Sequence, residues 1–503
     1  MGLLDKTHPQ YDGMKPDYDQ MRDTYAGSRA VKDKEDIYLA PTRSMILDGA
    51  LRDVDPGKTA YQSYIDRAIF PDLVANAART LTGLAFKDPS IYELPRAMEE
   101  LFQSATLEGE NLETLHRRII EQVLLYGRFG LAIDVPDGEG LPYFVSYGAR
   151  SVINWDDTLP ARGRLNPYYF VVTAEETFRR GVNADYEWTA INRYRAFELI
   201  DGVYHTWTEE DMQPPTEAFA PQYRGRTIDF VPFTIIGSQD LVATPGPIPL
   251  LGISDSALAI YRGEADLRQT LHNVGQDTLV LIGVGDDTES DDDQNPVRVG
   301  STAVIKLGAD GDAKYIGVSG DGLTEQRLVL QNDYKLAASE GSRLLENTAA
   351  QAESGEALKV RVAAKTTTLT SVAISAAAGL TQALRQMAVW VGANPDEVNI
   401  VPNLDFAEDS FTAQQALNLM QAKSAGLPLS ARTIHTKLRD QDYTDLTFDD
   451  EIAQLQIENE QGITDLLFPA TPIVEEIDEE PDEEIDEEPD EEPDEEVDEE
   501  IDE

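Results

Sequence analysis

The sequence predicts an α+β protein in which a block of strands precedes a series of long helices. Up to about residue 237 a central block is rich in predicted strands, and apolar and polar residues alternate clearly on both sides of Asp201-Gly202. Beyond residue 250, apolar residues recur with helical spacing instead. Residues 366–384 then form a run of nineteen residues without a charge. Strands grouped in one part of a chain and helices in another are typical of the α+β class.

The first 90 residues are expected to be helical or irregular. Residues 1–50 are polar and predict irregular structure with short helical stretches. Residues 59–86 predict helix on both sides of a boundary at Pro71. The apolar residues between Leu73 and Leu84 repeat with helical spacing, which supports the second of these helices.

The central block predicts strands joined by recognisable turns. Residues 111–137 indicate a helix that runs into a strand, with Gly127 and Gly130 at the switch. The chain alternates on both sides of Asp201-Gly202, which is a strong signal for a β-hairpin. The apolar run VPFTIIG adds a further strand.

Two long helices are predicted around a small β segment. The first is expected to begin at a cap formed by Ser254 or Asp255, and the second to run from Thr324 to about residue 346. The β segment between them contains the runs TLVLIG, AVIKLG and AKYIGV and an acidic loop, GDDTESDDDQNP.

Each of these helices has an apolar stripe on one face. Such a stripe covers only part of the helix surface, so it must be buried against a neighbouring element or a neighbouring chain. The residues expected to pack in this way are Ile260, Leu267, Leu271, Leu330 and Tyr334.

A Ser354-Gly355 break precedes the uncharged run at residues 366–384. The run is nominally long enough to cross a bilayer. Its richness in Thr, Ser, Gly and Ala favours a helix that packs closely against protein, because small side chains allow near approach of backbones. We therefore expect no membrane association.

The composition is globular but very acidic, with a net charge of −52 and no cysteine. Residues 475–503 hold 22 acidic and no basic residues, in seven E-E-[IPV]-D repeats, and this composition predicts disorder. The rest of the chain is still acidic, which argues against a broad basic surface for DNA or anionic membrane. The absence of cysteine excludes disulfides, Cys-ligated zinc and a thiol nucleophile.

No local motif indicates catalysis. The Gly57-Lys58-Thr59 triplet lacks the first glycine of a P-loop, since Arg52 stands at that position. The five histidines are scattered without metal-ligand spacing, and no G-x-S-x-G motif is present. The acidic loop could hold Ca²⁺ or Mg²⁺ or could be a solvated hairpin tip, but it does not match the EF-hand pattern. The sequence therefore predicts no enzyme, no cofactor and no metal site.

Several segments, in order, resemble portal proteins of tailed bacteriophages, in particular a group catalogued as a domain of unknown function. The resemblance covers about residues 20–440 and rests on the succession of blocks more than on any one of them. The acidic repeat has no counterpart in it. The blocks are RDTYAGSRAVKDKEDIYLAP, YQSYIDRAIFPDLVANAARTLTGLAFKDPSIYELP, VLLYGRFGLAIDVPD, LPYFVSYGARSVINW, YRGEADLRQTLHNVGQDTLVLIG, ESGEALKV, NIVPNLDF and GLPLSARTIHTKL.

The resemblance implies a portal-type fold with an α/β wing, a two-helix stem around a β clip, a tunnel helix and a helical crown. Its expected parts are an N-terminal arm (1–50), the wing (51–250), stem helix 1 (251–276), the clip (277–322), stem helix 2 (323–346), the tunnel loop and tunnel helix (347–392), the crown (393–465) and a disordered acidic tail (466–503).

The function that the resemblance implies is that of a channel for DNA. The family forms a closed ring of about twelve copies at one capsid vertex of the virion, after assembly in the host cytoplasm. The implied partners are the terminase large subunit, a tail adaptor, the major capsid and scaffolding proteins, and double-stranded DNA in transit.

The resemblance also assigns site residues. The residues expected at the tunnel loop or DNA channel are Asn347, Gln351, Glu353, Ser354, Gly355, Glu356, Lys359 and Arg361. Those expected to dock partners at the clip are Asp286, Asp287, Glu289, Asp291, Asp292 and Asp293.

The sequence alone leaves two other functions open. One is a DNA-processing hydrolase that uses clustered carboxylates and Mg²⁺, for which residues 286–293 are the local candidate. The other is a different structural protein of the head-tail junction.

Overall fold

The computed structural model describes residues 3–136, 140–159, 165–180, 186, 188–211, 213, 215–274, 278–282, 312–316, 321–345, 355–404, 406, 421, 423, 430–439 and 444–460. The chain divides into two compact units, Met1–Ala407 and Glu408–Glu503.

Helices and strands alternate in blocks along the first unit. Its described helices are α1 Pro9–Ala26, α2 Ser28–Lys32, α3 Arg43–Leu47, α4 Gly57–Arg67, α5 Leu73–Ala85, α6 Leu112–Tyr126, α7 Leu251–Val274, α8 Asp321–Leu345 and α9 Gly355–Val391. Its described strands are β1 Ile91–Glu93, β2 Arg128–Asp134, β3 Tyr143–Gly148, β4 Val152–Asp156, β5 Phe170–Arg180, β6 Trp188–Ile200, β7 Val203–Glu210, β8 Phe233–Gly237, β9 Thr278–Ile282, β10 Asp312–Ile316 and β11 Asn399–Val401. Short 3₁₀ turns occupy Glu35–Ile37, Ala50–Arg52, Arg96–Phe102 and Pro395–Glu397.

The described strands form four antiparallel sheets. A three-stranded sheet has the order β3-β2-β8, and a four-stranded sheet has the order β4-β5-β6-β7. Two further sheets consist of the pairs β1-β11 and β9-β10. With long helices and mainly antiparallel strands, the protein belongs to the α+β class, as the sequence predicts.

One large core joins the two larger sheets to α1, α5, α6 and α9. A smaller core lies between α4, α7 and the segment around Tyr38. In the second unit, the described helices are Ala431–Arg439 and Phe448–Glu460. The Ser430 hydroxyl caps the first of them by accepting the N–H of Thr433 at 3.0 Å.

The turns predicted from the sequence are confirmed. Asp201 and Gly202 both have positive φ between β6 and β7, as a tight hairpin with two left-handed positions requires. Gly127, at φ +68°, ends α6 immediately before β2. Gly130, the other residue expected at this switch, lies inside β2.

The expectation of irregular structure with short helical stretches in the first 50 residues is met by α2 and α3 but is wrong for residues 9–26. Residues 9–26 form the eighteen-residue helix α1, and its buried face packs into the main core. Between its charged residues, α1 has apolar residues repeated at intervals of three and four. That repeat consists of Tyr11, Met14, Tyr18, Met21 and Tyr25.

The expected starts of the two long helices also need correction. Helix α7 begins at Leu251, so Ser254 and Asp255 lie about one turn inside it and do not cap it. The buried Ser254 hydroxyl instead lies 2.9 Å from the Thr24 hydroxyl of α1. Helix α8 begins at Asp321, three residues before Thr324. The AVIKLG run lies outside the described residues.

His116 of α6 is buried without a charged partner among the described residues. Its ring packs edge-on against Phe86 and Tyr92, and the Tyr92 hydroxyl lies 3.0 Å from Nδ1. Burial lowers the pKa of His116 to about 4. The folded state therefore favours the neutral ring.

This burial predicts a pH dependence of stability. Above the ordinary histidine pKa the contribution of neutral His116 is fully present, and it is lost as the pH falls through about 4, because the unfolded chain binds the proton more readily. The loss amounts to about 3 kcal/mol. His116→Phe should remove this part of the pH dependence, measured by denaturant unfolding between pH 4 and 7. His205→Phe, at a half-buried position, is the matched control, and identical pH profiles for His116→Phe and wild type would contradict the prediction.

Candidate functional site

Helices α7 and α8 pack side by side through a small apolar seam. Ile260 of α7 and Leu330 and Ala337 of α8 are buried there, and Leu267 packs partly against them. Two predicted packing residues, Ile260 and Leu330, therefore form the centre of the seam. The predicted residue Leu271 shares the α7 face but is 50% exposed, so the single chain does not bury it.

A polar group lies beside this seam. The Glu264 carboxylate accepts from the Arg268 Nε at 2.7 Å and from the Tyr334 hydroxyl at 3.4 Å. Burial raises the pKa of Tyr334, and the neighbouring Glu264 carboxylate raises it further. The predicted packing residue Tyr334 thus joins the two helices by a hydrogen bond rather than by apolar burial.

The opposite side of α7 is fixed to the amino-terminal segments. The Tyr64 hydroxyl donates to Asp266 at 2.5 Å, and Arg262 donates to the Tyr38 carbonyl at 2.9 Å. Arg67 also hydrogen-bonds Gln269. Helix α7 is therefore held on two sides within one chain.

Three large apolar side chains of α8 are exposed. Leu328, Val329 and Leu336 are 47%, 59% and 56% exposed. At 100° per residue they lie within about 100° of one another and at least about 80° from Leu330 and Ala337. The single chain thus leaves a group of apolar side chains uncovered beside the α7–α8 seam, for which we use the name outer α8 face.

Helix α9 packs against β8 inside the chain. A Cβ on Gly379 would lie 2.5 Å from Ile236 Cγ1, so only glycine permits this approach. The Ser375 hydroxyl donates to the Gly237 carbonyl at 2.7 Å, and Ser371 donates to the Ser238 carbonyl at 3.1 Å. The small residues of the uncharged run therefore serve packing within one chain.

The predicted tunnel-loop residues fall at the start of α9. Helix α9 begins at Gly355, and Glu356, Lys359 and Arg361 follow on its first turns. The other four predicted residues lie outside the described part of the chain: Asn347, Gln351, Glu353 and Ser354.

The predicted clip residues cannot be placed either. The strands β9 and β10 pair over five residues each, and β9 begins four residues after α7 ends. The residues between the two strands, including all of the acidic loop, lie outside the described residues: Asp286, Asp287, Glu289, Asp291, Asp292 and Asp293.

No metal or membrane site is found in the described part of the chain. Among those residues, no group of three or more His, Cys, Asp or Glu side chains is placed to hold a metal ion. None of the described helices is long and apolar enough to span a bilayer.

A charged cleft between the two larger sheets was not anticipated from the sequence. It contains Arg193 and Arg195 of β6, Glu175 of β5 and Asp134 of β2. The two arginines stand two residues apart in a strand, so they share a face, and this alternation is the signal that would have indicated a polar cleft.

The comparisons with known proteins are informative over one segment. Residues 249–391 match the family described as "Domain of unknown function (DUF4055)". This range begins just before α7 and ends with the last residue of α9. No curated protein matches the chain.

Three solved structures are similar at low identity. They are the neck of a native GTA particle computed with C12 symmetry (13% identity, 73% of this chain, 89% of that chain, TM-score 0.37), the virion of a native gene transfer agent particle (14%, 80%, 98%, 0.38), and the neck of an empty GTA particle computed with C6 symmetry (15%, 73%, 90%, 0.37). At these TM-scores the likeness supports no inference about this chain.

The contact between α9 and β8 gives a direct prediction. Gly379→Ala should destabilise the fold by about 1–3 kcal/mol, because the added methyl group overlaps Ile236. Gly83→Ala in α5 is the matched control, since a Cβ there meets nothing within 4 Å. It should be neutral or stabilising by up to about 1 kcal/mol. Denaturant midpoints measure both, and equal midpoints for the two variants would contradict the close approach.

Proposed function

We propose that the chain is a portal protein of a tailed bacteriophage or a phage-like particle. It forms a closed ring at one capsid vertex, through which DNA enters during packaging and leaves during ejection. The ordered blocks of sequence resemblance support this reading. The succession of α7, the β9–β10 pair, α8 and α9 agrees with the stem, clip and tunnel parts that the resemblance implies.

The outer α8 face is the observation that carries the proposal. Apolar side chains exposed together on one long helix are stabilised when a second surface covers them, at about 25 cal/mol per Å² of apolar area. In a ring, each subunit has a neighbour on both sides, so the α7–α8 pair of one subunit can cover the outer face of the next. Leu271, half exposed on α7, would be buried by the same contact.

The charge of the chain suits a channel that conducts DNA. Basic surfaces hold DNA by releasing counterions from its phosphates, so a strongly basic lining would retain the duplex. This chain carries a net charge of −52. In the proposed ring, Lys359 and Arg361 at the start of α9 are isolated basic residues that would touch phosphates only briefly.

The remaining parts follow from the same proposal. Residues 51–250 form the wing, 277–322 the clip that docks the terminase and later the tail adaptor, and 393–465 the crown. Scaffolding and major capsid proteins contact the ring during assembly. The acidic segment at 475–503 limits adhesion of DNA only at near contact, because screening confines its field to about 8 Å at physiological salt.

Ring assembly can be tested at the outer α8 face. Leu328→Asp combined with Val329→Asp should give folded single chains, because two carboxylates would have to be buried between subunits. Gln326→Asp combined with Gln331→Asp adds the same charge at exposed polar positions of the same helix and should leave rings intact.

The measurement is the particle mass by light scattering, with circular dichroism to confirm that each variant is folded. Rings of full yield from the Leu328/Val329 variant would show that this face is not a subunit contact. Loss of rings in the glutamine control as well would show that added charge, and not loss of the apolar face, disrupts assembly.

A further inference from the structure

The cleft between the two larger sheets has a volume of about 700 Å³. One wall is β3, from Tyr143 to Tyr147, and the facing wall comes from β5, β6 and β7. Trp207 and Phe219 also line it. The cleft is a property of the single chain and does not depend on ring formation.

The outer edge of the β3 wall is bridged to Thr106 at Phe144 and is open at Ser146. The Phe144 N–H donates to the Ala105 carbonyl at 2.8 Å, so Phe144 points its backbone groups away from β2. Alternate residues of a strand direct these groups to the same edge, so the N–H and C=O of Ser146 point there as well. Among the described residues, no strand or bridge pairs with Ser146 on that edge, and its buried hydroxyl has no hydrogen-bond partner.

The arginines of the cleft already have acidic partners. Arg195 donates to Asp134 at 2.7 Å and to Thr206 at 3.1 Å. Arg193 donates to Glu210 at 3.1 Å. An acidic ligand would have to break these pairs, so the cleft is poorly suited to one.

Glu175 is a carboxylate of the cleft that lacks such a partner. It stands opposite Arg193 in the β5–β6 register and lines the cleft, but it makes no hydrogen bond or ion pair with the described residues. Burial raises its pKa, although Arg193 and Arg195 act in the opposite direction. A partly desolvated carboxylate without a donor favours a cationic group from a ligand.

We infer that this cleft binds an extended, basic segment of another protein, added as a strand to β3 at Ser146, with a lysine or arginine paired to Glu175. Backbone hydrogen bonds to a free edge supply affinity, and side chains that alternate toward the cleft supply selectivity. The net charge of −52 attracts a basic partner from a distance.

The test uses the full chain and a synthetic peptide of alternating valine and lysine, blocked at both ends and labelled with fluorescein. Fluorescence anisotropy should show saturable binding to wild type. Glu175→Gln should weaken binding at least about tenfold, since a charge-assisted hydrogen bond is lost. Glu176→Gln is the matched control because its exposed side chain points to the opposite face of β5.

Two altered peptides test the mode of binding without changing the protein. Methylation of alternate valine amides should reduce binding at least about tenfold, because it removes the donors that pair with β3. Replacement of lysine by glutamate should abolish binding. A benzophenone in place of one valine should crosslink to residues 143–147 or 206–208.

Several outcomes would overturn the inference. No saturable binding, equal binding to the Glu175→Gln and Glu176→Gln proteins, or equal binding of the methylated peptide would each do so. Crosslinks confined to residues 475–503 would show attraction to the acidic repeat alone. Crosslinking of the cleft to a second copy of the chain would show that a subunit contact occupies it.

Discussion

The close approach of α9 to β8 is the contact on which the organisation of the first unit depends. At Gly379 the helix meets Ile236 with no room for a side chain, and two serine hydroxyls of α9 bond to carbonyls at the end of β8. Helix α9 also contributes many buried residues to the core that contains both larger sheets. The segment that matches a known family model is thereby joined to the sheets, which lie outside that match.

The two long helices α7 and α8 are covered to different extents by the rest of the chain. Helix α7 is held by the amino-terminal helices on one side and by α8 on the other, whereas α8 leaves Leu328, Val329 and Leu336 exposed. The free energy gained by covering this face is what the proposed ring would use for assembly. Under the proposal, the α7–α8 pair is held in place within one chain, and its exposed apolar side chains drive assembly of the ring.

The sequence predicted the features that local chemistry determines. The end of α6 at Gly127 and the hairpin at Asp201-Gly202 depend on a few adjacent residues, so they could be inferred without tertiary information. Helix α1 was missed because charged residues surround its apolar repeat.

Other features depend on residues far apart in the chain. The pair between Arg195 and Asp134 joins positions 61 residues apart, and no periodicity could indicate which carboxylate an arginine on β6 would reach. The exposure of Leu271 depends in the same way on what α8 leaves uncovered. Amphipathic spacing predicted that such a residue needs a partner surface, but it could not say whether that surface belongs to the same chain or another.

Cryo-electron microscopy of the purified full-length protein tests the central claim most directly. The account predicts closed rings with a central channel, in which Leu328 and Val329 of each subunit are buried against its neighbour. Single chains at micromolar concentration, or rings in which the outer α8 face remains in solvent, would contradict it.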